Sequence, residues 1–225
     1  MSEKRFEYSG AGWESKFREG WGDNKKPEPR LLEFAEKYKS EIGPKILDIG
    51  SGVGRHSIPL AEMGYEVTGL EYTKAGVEIT KQKEKEKGVK GDLVQGDFRD
   101  LPFADNSFDT VVSTATLHHN NWEGAETTFK EASRVLKSGG LFFFRVRSDK
   151  AAVEPDRKAL DDKGISWSEI NKDGSLELHH DFSLEELREL AEKCNFDFES
   201  EPFDEKKNED GKITFGQWNV VFRKK

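Results

Sequence analysis

Apolar positions in this chain fall into short strand-sized runs, separated by longer stretches with helical spacing or turn chemistry. The pattern predicts a strand at 46–49, a helix at 55–63, a strand at 66–70 and a helix at 75–87. Strands at 92–95 and 108–113, a helix at 124–137 and a strand at 141–147 follow. Strands alternating with helices imply parallel β-α-β units. The stretch 96–107 is short and turn-like, so one crossover helix is absent or stunted. A first helix over about 31–38 follows Pro27 and Pro29, since prolines favour helix entry.

Beyond residue 147 the pattern loosens. Lys172-Asp-Gly174 marks a turn between two short strand-like pieces. Ser183 with Glu186 three residues on has capping-box spacing, which starts a helix ending near Cys194. Two strands, 196–203 and 213–222, are separated by a charged loop at 204–212 whose Asp210-Gly211 is a turn dipeptide. They form an antiparallel hairpin. At the other end, residues 1–27 are aromatic and glycine-rich, with Trp13, Phe17 and Trp21 on one helical face.

The most specific local feature is Lys45-Ile-Leu-Asp-Ile-Gly-Ser-Gly-Val-Gly54. A buried strand carrying Asp48 breaks into three glycines on alternate positions, and a helix follows. This is the opening of an open α/β sheet, in which ligands sit beyond the carboxyl ends of the strands. Glycine there permits positive φ and lets a ligand touch the backbone. The next strand ends at Glu71, where a carboxylate accepts from ribose hydroxyls. NAD and S-adenosylmethionine would be served equally by that acid, but the glycine spacing separates them. The dinucleotide fingerprint G-x-G-x-x-G would need a third glycine at Arg55 or Ser57, and neither position has one. The third strand leads to Gly96-Asp97-Phe98. A carboxylate beside an aromatic ring suits adenine, although Phe98 is equally suited to the core under the loop.

Composition narrows the partners. Charged residues make up 36% and hydrophobic ones 34%, with a net charge of −8. A broad acidic surface argues against wrapping a long nucleic acid. One cysteine, Cys194, excludes an internal disulfide and a cysteine metal cluster. No leader-like or membrane-spanning run is present, so a cytoplasmic protein off the membrane is expected, as a monomer or homodimer.

Taken together, Asp48-Ile-Gly-Ser-Gly-Val-Gly54, Glu71, Gly96-Asp97-Phe98, Phe108-Asp-Thr-Val-Val-Ser113 and Leu136-Lys-Ser-Gly-Gly140 resemble the class I S-adenosylmethionine-dependent methyltransferases, in order and spacing. The resemblance covers about residues 30–225. It implies an α/β Rossmann-like, seven-stranded, mainly parallel sheet of order 3-2-1-4-5-7-6, last strand antiparallel, with helices on both faces. It also implies S-adenosylmethionine as cofactor and S-adenosylhomocysteine as product. Cofactor contacts are implied along Asp48, Gly50, Ser51 and Gly52, with the two glycines lining the methionine part. Glu71, beside Tyr72, would hold the ribose. Asp97 and Phe98 would hold the adenine, and the backbone around Ser113 and Thr114 the methionine amino end. Glu71 stands where Asp is commoner, and Tyr72-Thr-Lys replaces a small-residue turn.

The expected division is a lid or cap over 1–29 and a methyltransferase domain over 30–225, with a substrate-side insertion at 148–182. The sulfonium is already an activated methyl donor, so an in-line approach of the acceptor suffices, and positioning supplies on the order of 7–11 kcal/mol at best. No residue is assigned as a general base. Candidate substrate residues are Trp13, Trp21, His118, His119, Arg145 and His180. Each has a plainer reading: the aromatic stripe as packing, the histidines as structural, Arg145 and Arg147 as partners of carboxylates. The histidine pairs lack helical i, i+4 ligand spacing, and no metal is expected. A small-molecule acceptor is favoured, because neither an extra recognition domain nor a basic face is visible. The competing readings are a non-catalytic scaffold of the same fold and, further off, an NAD-dependent oxidoreductase.

Overall fold

A computed structural model of the chain describes residues 11–150, 158–159, 166–170, 176–202, 204–207 and 213–225. In chain order these form α1 (Ala11–Arg18), α2 (Pro29–Lys37), β1 (Lys45–Ile49), α3 (Ser57–Glu62), β2 (Glu66–Glu71), α4 (Lys74–Lys87), β3 (Asp92–Gln95), β4 (Phe108–Thr114), α5 (Trp122–Val135) and β5 (Leu136–Arg147). Then come β6 (Lys158–Ala159), β7 (Ser166–Ile170), β8 (Leu176–His180), α6 (Leu184–Lys193), β9 (Phe196–Phe198), β10 (Asp204–Lys207) and β11 (Ile213–Lys224).

The main sheet runs β10-β11-β5-β4-β1-β2-β3, and β9 also pairs with β11. Strands β1 to β5 pair in parallel, while β11 lies antiparallel against β5. This is the expected order 3-2-1-4-5-7-6, with the expected sixth strand in two pieces. The edge strand expected over 196–203 is β9 alone, and Asp204–Lys207, expected as loop, pairs with β11 as β10. Pro202 stands between the two pieces and cannot donate to a ladder. An edge strand tolerates charge, which is why the charged run misled. The turn at Lys172-Asp-Gly174 and the dipeptide Asp210-Gly211 lie outside the described residues. Strands β6, β7 and β8 make a separate antiparallel sheet.

The sheet is buried on both faces. Along β5, Phe142, Phe144 and Val146 join one apolar layer with Phe129 of α5 and Leu187 and Leu190 of α6. Leu141 and Phe143 point the other way, into a layer with Leu31 and Phe34 of α2 and Leu60 of α3. The two-residue alternation of a strand and the continuous hydrophobic run are thus one fact seen twice.

Two helices start where a cap dictates. Asn121 accepts from Gly124 N–H, so α5 begins at Trp122, two residues before the position expected. It ends at Val135 because Leu136 already pairs with Phe108; the register then slips past Lys137–Gly140 before Leu141 meets Thr110. The Ser183–Glu186 capping box at α6 is present in both directions. Ser183→Ala is expected to cost about 1 kcal/mol in urea unfolding, since one buried helix end loses its acceptor.

Candidate active site

The glycine turn leaves β1 and folds against the end of β2. Gly50 and Ser51 donate to the carbonyl of Leu70 at 2.8 and 3.0 Å. Gly50 has φ +73°, and a Cβ on it would lie 2.2 Å from Thr116 Cγ2. Only glycine fits there. The turn continues through Arg55 and His56, so α3 starts at Ser57, two residues later than expected. That delay leaves Arg55 and His56 on the cleft wall.

Glu71 fastens the two turns together. Its Oε2 accepts from Gly52 N–H at 2.9 Å, and its Oε1 accepts from Thr73 N–H at 2.8 Å and Thr73 Oγ1 at 2.7 Å. Burial still pushes this carboxyl above the ordinary range, against the pull of those donors. Thr73 also caps α4 by accepting from Gly76 N–H at 3.1 Å.

Above these turns lies a cleft of about 710 Å³, its open mouth included. Its floor is Gly50, Ser51 and Gly52, with Glu71 and Tyr72 at the end of β2. Gly96 and Phe98 follow β3, Thr114 ends β4, and Ala115 and Thr116 follow it. All four segments sit at carboxyl ends of parallel strands, where an open α/β sheet binds its ligand. Ala115 carries φ +56°, the kind of backbone strain that gathers at ligand sites. Helix α1 roofs the cleft with Trp13 and Phe17, and Trp21 follows. The roof is tied down by Glu14, which accepts from Ala75 N–H at 3.0 Å, and by Lys16, which donates to Glu177 at 2.5 Å.

Other sequence candidates stand elsewhere. Asp48 is buried beneath the turn, where Ser57 Oγ donates to it at 2.6 Å. Asp97 turns from the cleft to Arg99, at 2.6 Å; burial would raise its pKa, but the Arg99 contact outweighs this and lowers it. The Ser113 hydroxyl donates to Ile49 carbonyl at 2.8 Å, inside the sheet. Arg145 pairs with Glu28 and Arg147 with Asp181, which agrees with the plainer reading of both. His180 packs on Trp122 and Phe182 on the α6 side. Alternation along β8 sends it away from His179.

His118, His119 and His179 come together next to the cleft, with His119 on its wall. Ring centroids are 4.4 Å apart for His118–His119 and 4.7 Å for His119–His179. Glu177 Oε1 lies 3.0 Å from His119 Nδ1, but not in line for a hydrogen bond, so the contact is electrostatic. Burial, and then the neighbouring imidazoles, hold His118 well below its ordinary pKa. Burial, with His119 next, pushes His179 down to about 2. For Glu177 burial works upward, yet His119 and Lys16 bring it to about 2. Sequence reasoning missed His56, Glu177 and His179, while Phe17, read as part of the aromatic stripe, does line the cleft. The Glu177-x-His179 spacing on a strand, which puts both on one face, was the signal for the last two.

The fold and site can now be set beside known proteins. A family model described as a methyltransferase domain matches residues 47–144. A sterol 24-C-methyltransferase of Gibberella zeae is 43% identical over 107 residues, 44% of this chain and 27% of that one. The chain thus spans about a quarter of that relative's length. An uncharacterized methyltransferase of Bacillus licheniformis is 31% identical over 153 residues, covering 68% of this chain and 67% of its own. The chain belongs to the class I S-adenosylmethionine-dependent methyltransferase family. A solved S-adenosylmethionine-dependent methyltransferase from Methanosarcina mazei shares the fold, with TM-score 0.71 and 22% identity over 89% of this chain and 99% of that one.

The family's cofactor fits the walls. Ser51 Oγ and Trp13 Nε1 are buried there with no hydrogen-bond partner among the described residues, as expected of polar atoms awaiting a ligand. At Gly50 a side chain would collide with Thr116 and at Gly52 it would press on Phe17, so bare backbone lines the floor. Phe98, Leu70 and Val53 offer apolar surface, and Glu71 offers the acceptor. Among the described residues, no helix is long and apolar enough to cross a membrane.

Proposed function

We propose that this chain transfers a methyl group from S-adenosylmethionine to a small-molecule acceptor. The observation that carries the reading is the roofed cleft: a buried acid and a glycine floor at the strand tips, closed over by the aromatic helix α1. When bound, S-adenosylmethionine supplies a sulfonium-activated methyl group. Glu71 accepts from the ribose hydroxyls, and Gly50, Ser51 and Gly52 let the methionine part lie on the backbone. Arg55 sets a positive charge in the wall, suited to a carboxylate. Phe98 gives the base a face. Asp97 reaches a base only by leaving Arg99, so its part is the weaker one.

Residues 11–29 act as the lid of the expected 1–29 segment, excluding water and holding the acceptor against the methyl group. An acidic surface and a roof over the site favour a metabolite over a polymer. Trp13 packs on Phe17, Trp21 and His119. Trp13→Ala therefore weakens cofactor binding by about tenfold, the equivalent of one aromatic contact cluster.

The test is calorimetric titration with S-adenosylmethionine and NAD, then transfer of labelled methyl in a cell extract. Binding of the methyl donor alone, with label in the low-molecular-weight fraction, is expected. Label in protein or nucleic acid overturns the small-molecule reading. No affinity for the methyl donor, with extract added, moves the scaffold reading to first place.

A further inference from the structure

The pair His118-His119 follows β4, and His179 comes from β8, sixty residues on. A hydrogen bond from His180 N–H to His118 carbonyl, at 2.8 Å, clamps the two segments together. One ring nitrogen from each of His118, His119 and His179 lies within 4.8 Å of the others, and all three rings are buried. Nδ1 of His118 and of His119 have no hydrogen-bond partner among the described residues. Burying an imidazole leaves a polar nitrogen that needs a proton donor, an acceptor or an ion. Three buried imidazoles with ring nitrogens this close are a costly way to fill a core.

We propose that His118, His119 and His179 bind one divalent first-row transition-metal ion of the zinc class. Three imidazoles select nitrogen-loving ions over magnesium and calcium, which take oxygen ligands. Donor atoms on a tetrahedral ion at about 2.0 Å stand about 3.3 Å from one another. Rotations that draw the nitrogens together by about 1.5 Å at most therefore close the set around an ion.

Glu177 Oε1 stands 3.0 Å from His119 Nδ1 and 3.6 Å from His179 Nε2, where its charge favours a bound cation and a small turn of either ring would make it a hydrogen-bond acceptor for that ring. It also takes Lys16 from the roof helix, and Trp13 packs on His119. An ion here would thus sit directly behind the acceptor side of the cleft, with three protein ligands and one position left for a further donor. The site stands independently of the methyl-transfer reading, since its test reads metal and not turnover.

The experiment uses the whole chain, free of any affinity tag, stripped with chelator and dialysed against zinc or cobalt(II). Expected is one metal per chain by elemental analysis, a visible cobalt d–d spectrum, and X-ray absorption showing three imidazoles on zinc. His119→Gln with His179→Gln should abolish stoichiometric retention, and Glu177→Gln should weaken it by about 10- to 100-fold. No metal retained by the wild-type chain overturns the site, as does full retention by the double variant. Should the double variant fail to fold, fewer than three imidazoles around wild-type zinc overturns it equally.

Discussion

Glu71→Ala is expected to weaken S-adenosylmethionine binding by on the order of 100-fold, from about 1.5–3 kcal/mol for each lost bond to the charged acceptor. The loss has two parts. The ribose loses its acceptor, and Gly52 N–H and Thr73 N–H, which the carboxylate now holds at 2.9 and 2.8 Å, are left without one. The turn that shapes the methionine site then loosens with the ribose site. Glu71→Gln does not rescue it. The amide carries one oxygen and one NH₂, so it must present a donor to either Gly52 or Thr73. Both variants are checked by calorimetry beside a melting curve. A Gln variant that binds like wild type would mean that the charge and the second acceptor do not matter.

The second large effect is on stability. Asp48 is fully buried, with Ser57 donating to it, and burial pushes its pKa from the ordinary 3.8 to about 6. In that window the folded chain holds a proton which the unfolded chain releases, so stability falls as pH rises. It is highest below 3.8 and lower by about 3 kcal/mol above 6, the free energy matching that displacement of pKa. Asp48→Asn has no such proton and still offers Ser57 an oxygen. Its stability relative to wild type should therefore improve by about 3 kcal/mol between pH 3 and pH 8 in urea titrations. A constant or shrinking difference would mean that Asp48 ionises without penalty. The tolerated cost points to a role in setting the turn, through Ser57 at the start of α3.

Most of the sheet was legible because each strand carries its own signal. The run 141–144 is apolar on every position, and β5 is covered on both faces. That the glycines, Glu71 and Phe98 line one cleft was legible because the fold rule fixes where strand tips lie, whatever packs around them. The signal failed where a residue's surroundings come from far along the chain. Arg145 read either as an anion site or as a partner of carboxylates, and only the fold brings Glu28, 117 residues away, to it. A nearer contact was missed as well: Asp97, read as an adenine partner, pairs with Arg99 two residues on.

The histidines show the limit most clearly. Their local spacing matched no ligand motif, and on that ground no metal was expected. Yet alternation on β8 turns His179 toward His118 and His119 while sending His180 to the opposite side. The sequence by itself determined the sheet order, the glycine turn after β1 and the capped helices, because periodicity, glycine φ and caps act within a few residues. The tertiary structure alone decided which aromatics became a roof, which charges cancelled and which imidazoles met, because those contacts join segments that only packing brings together.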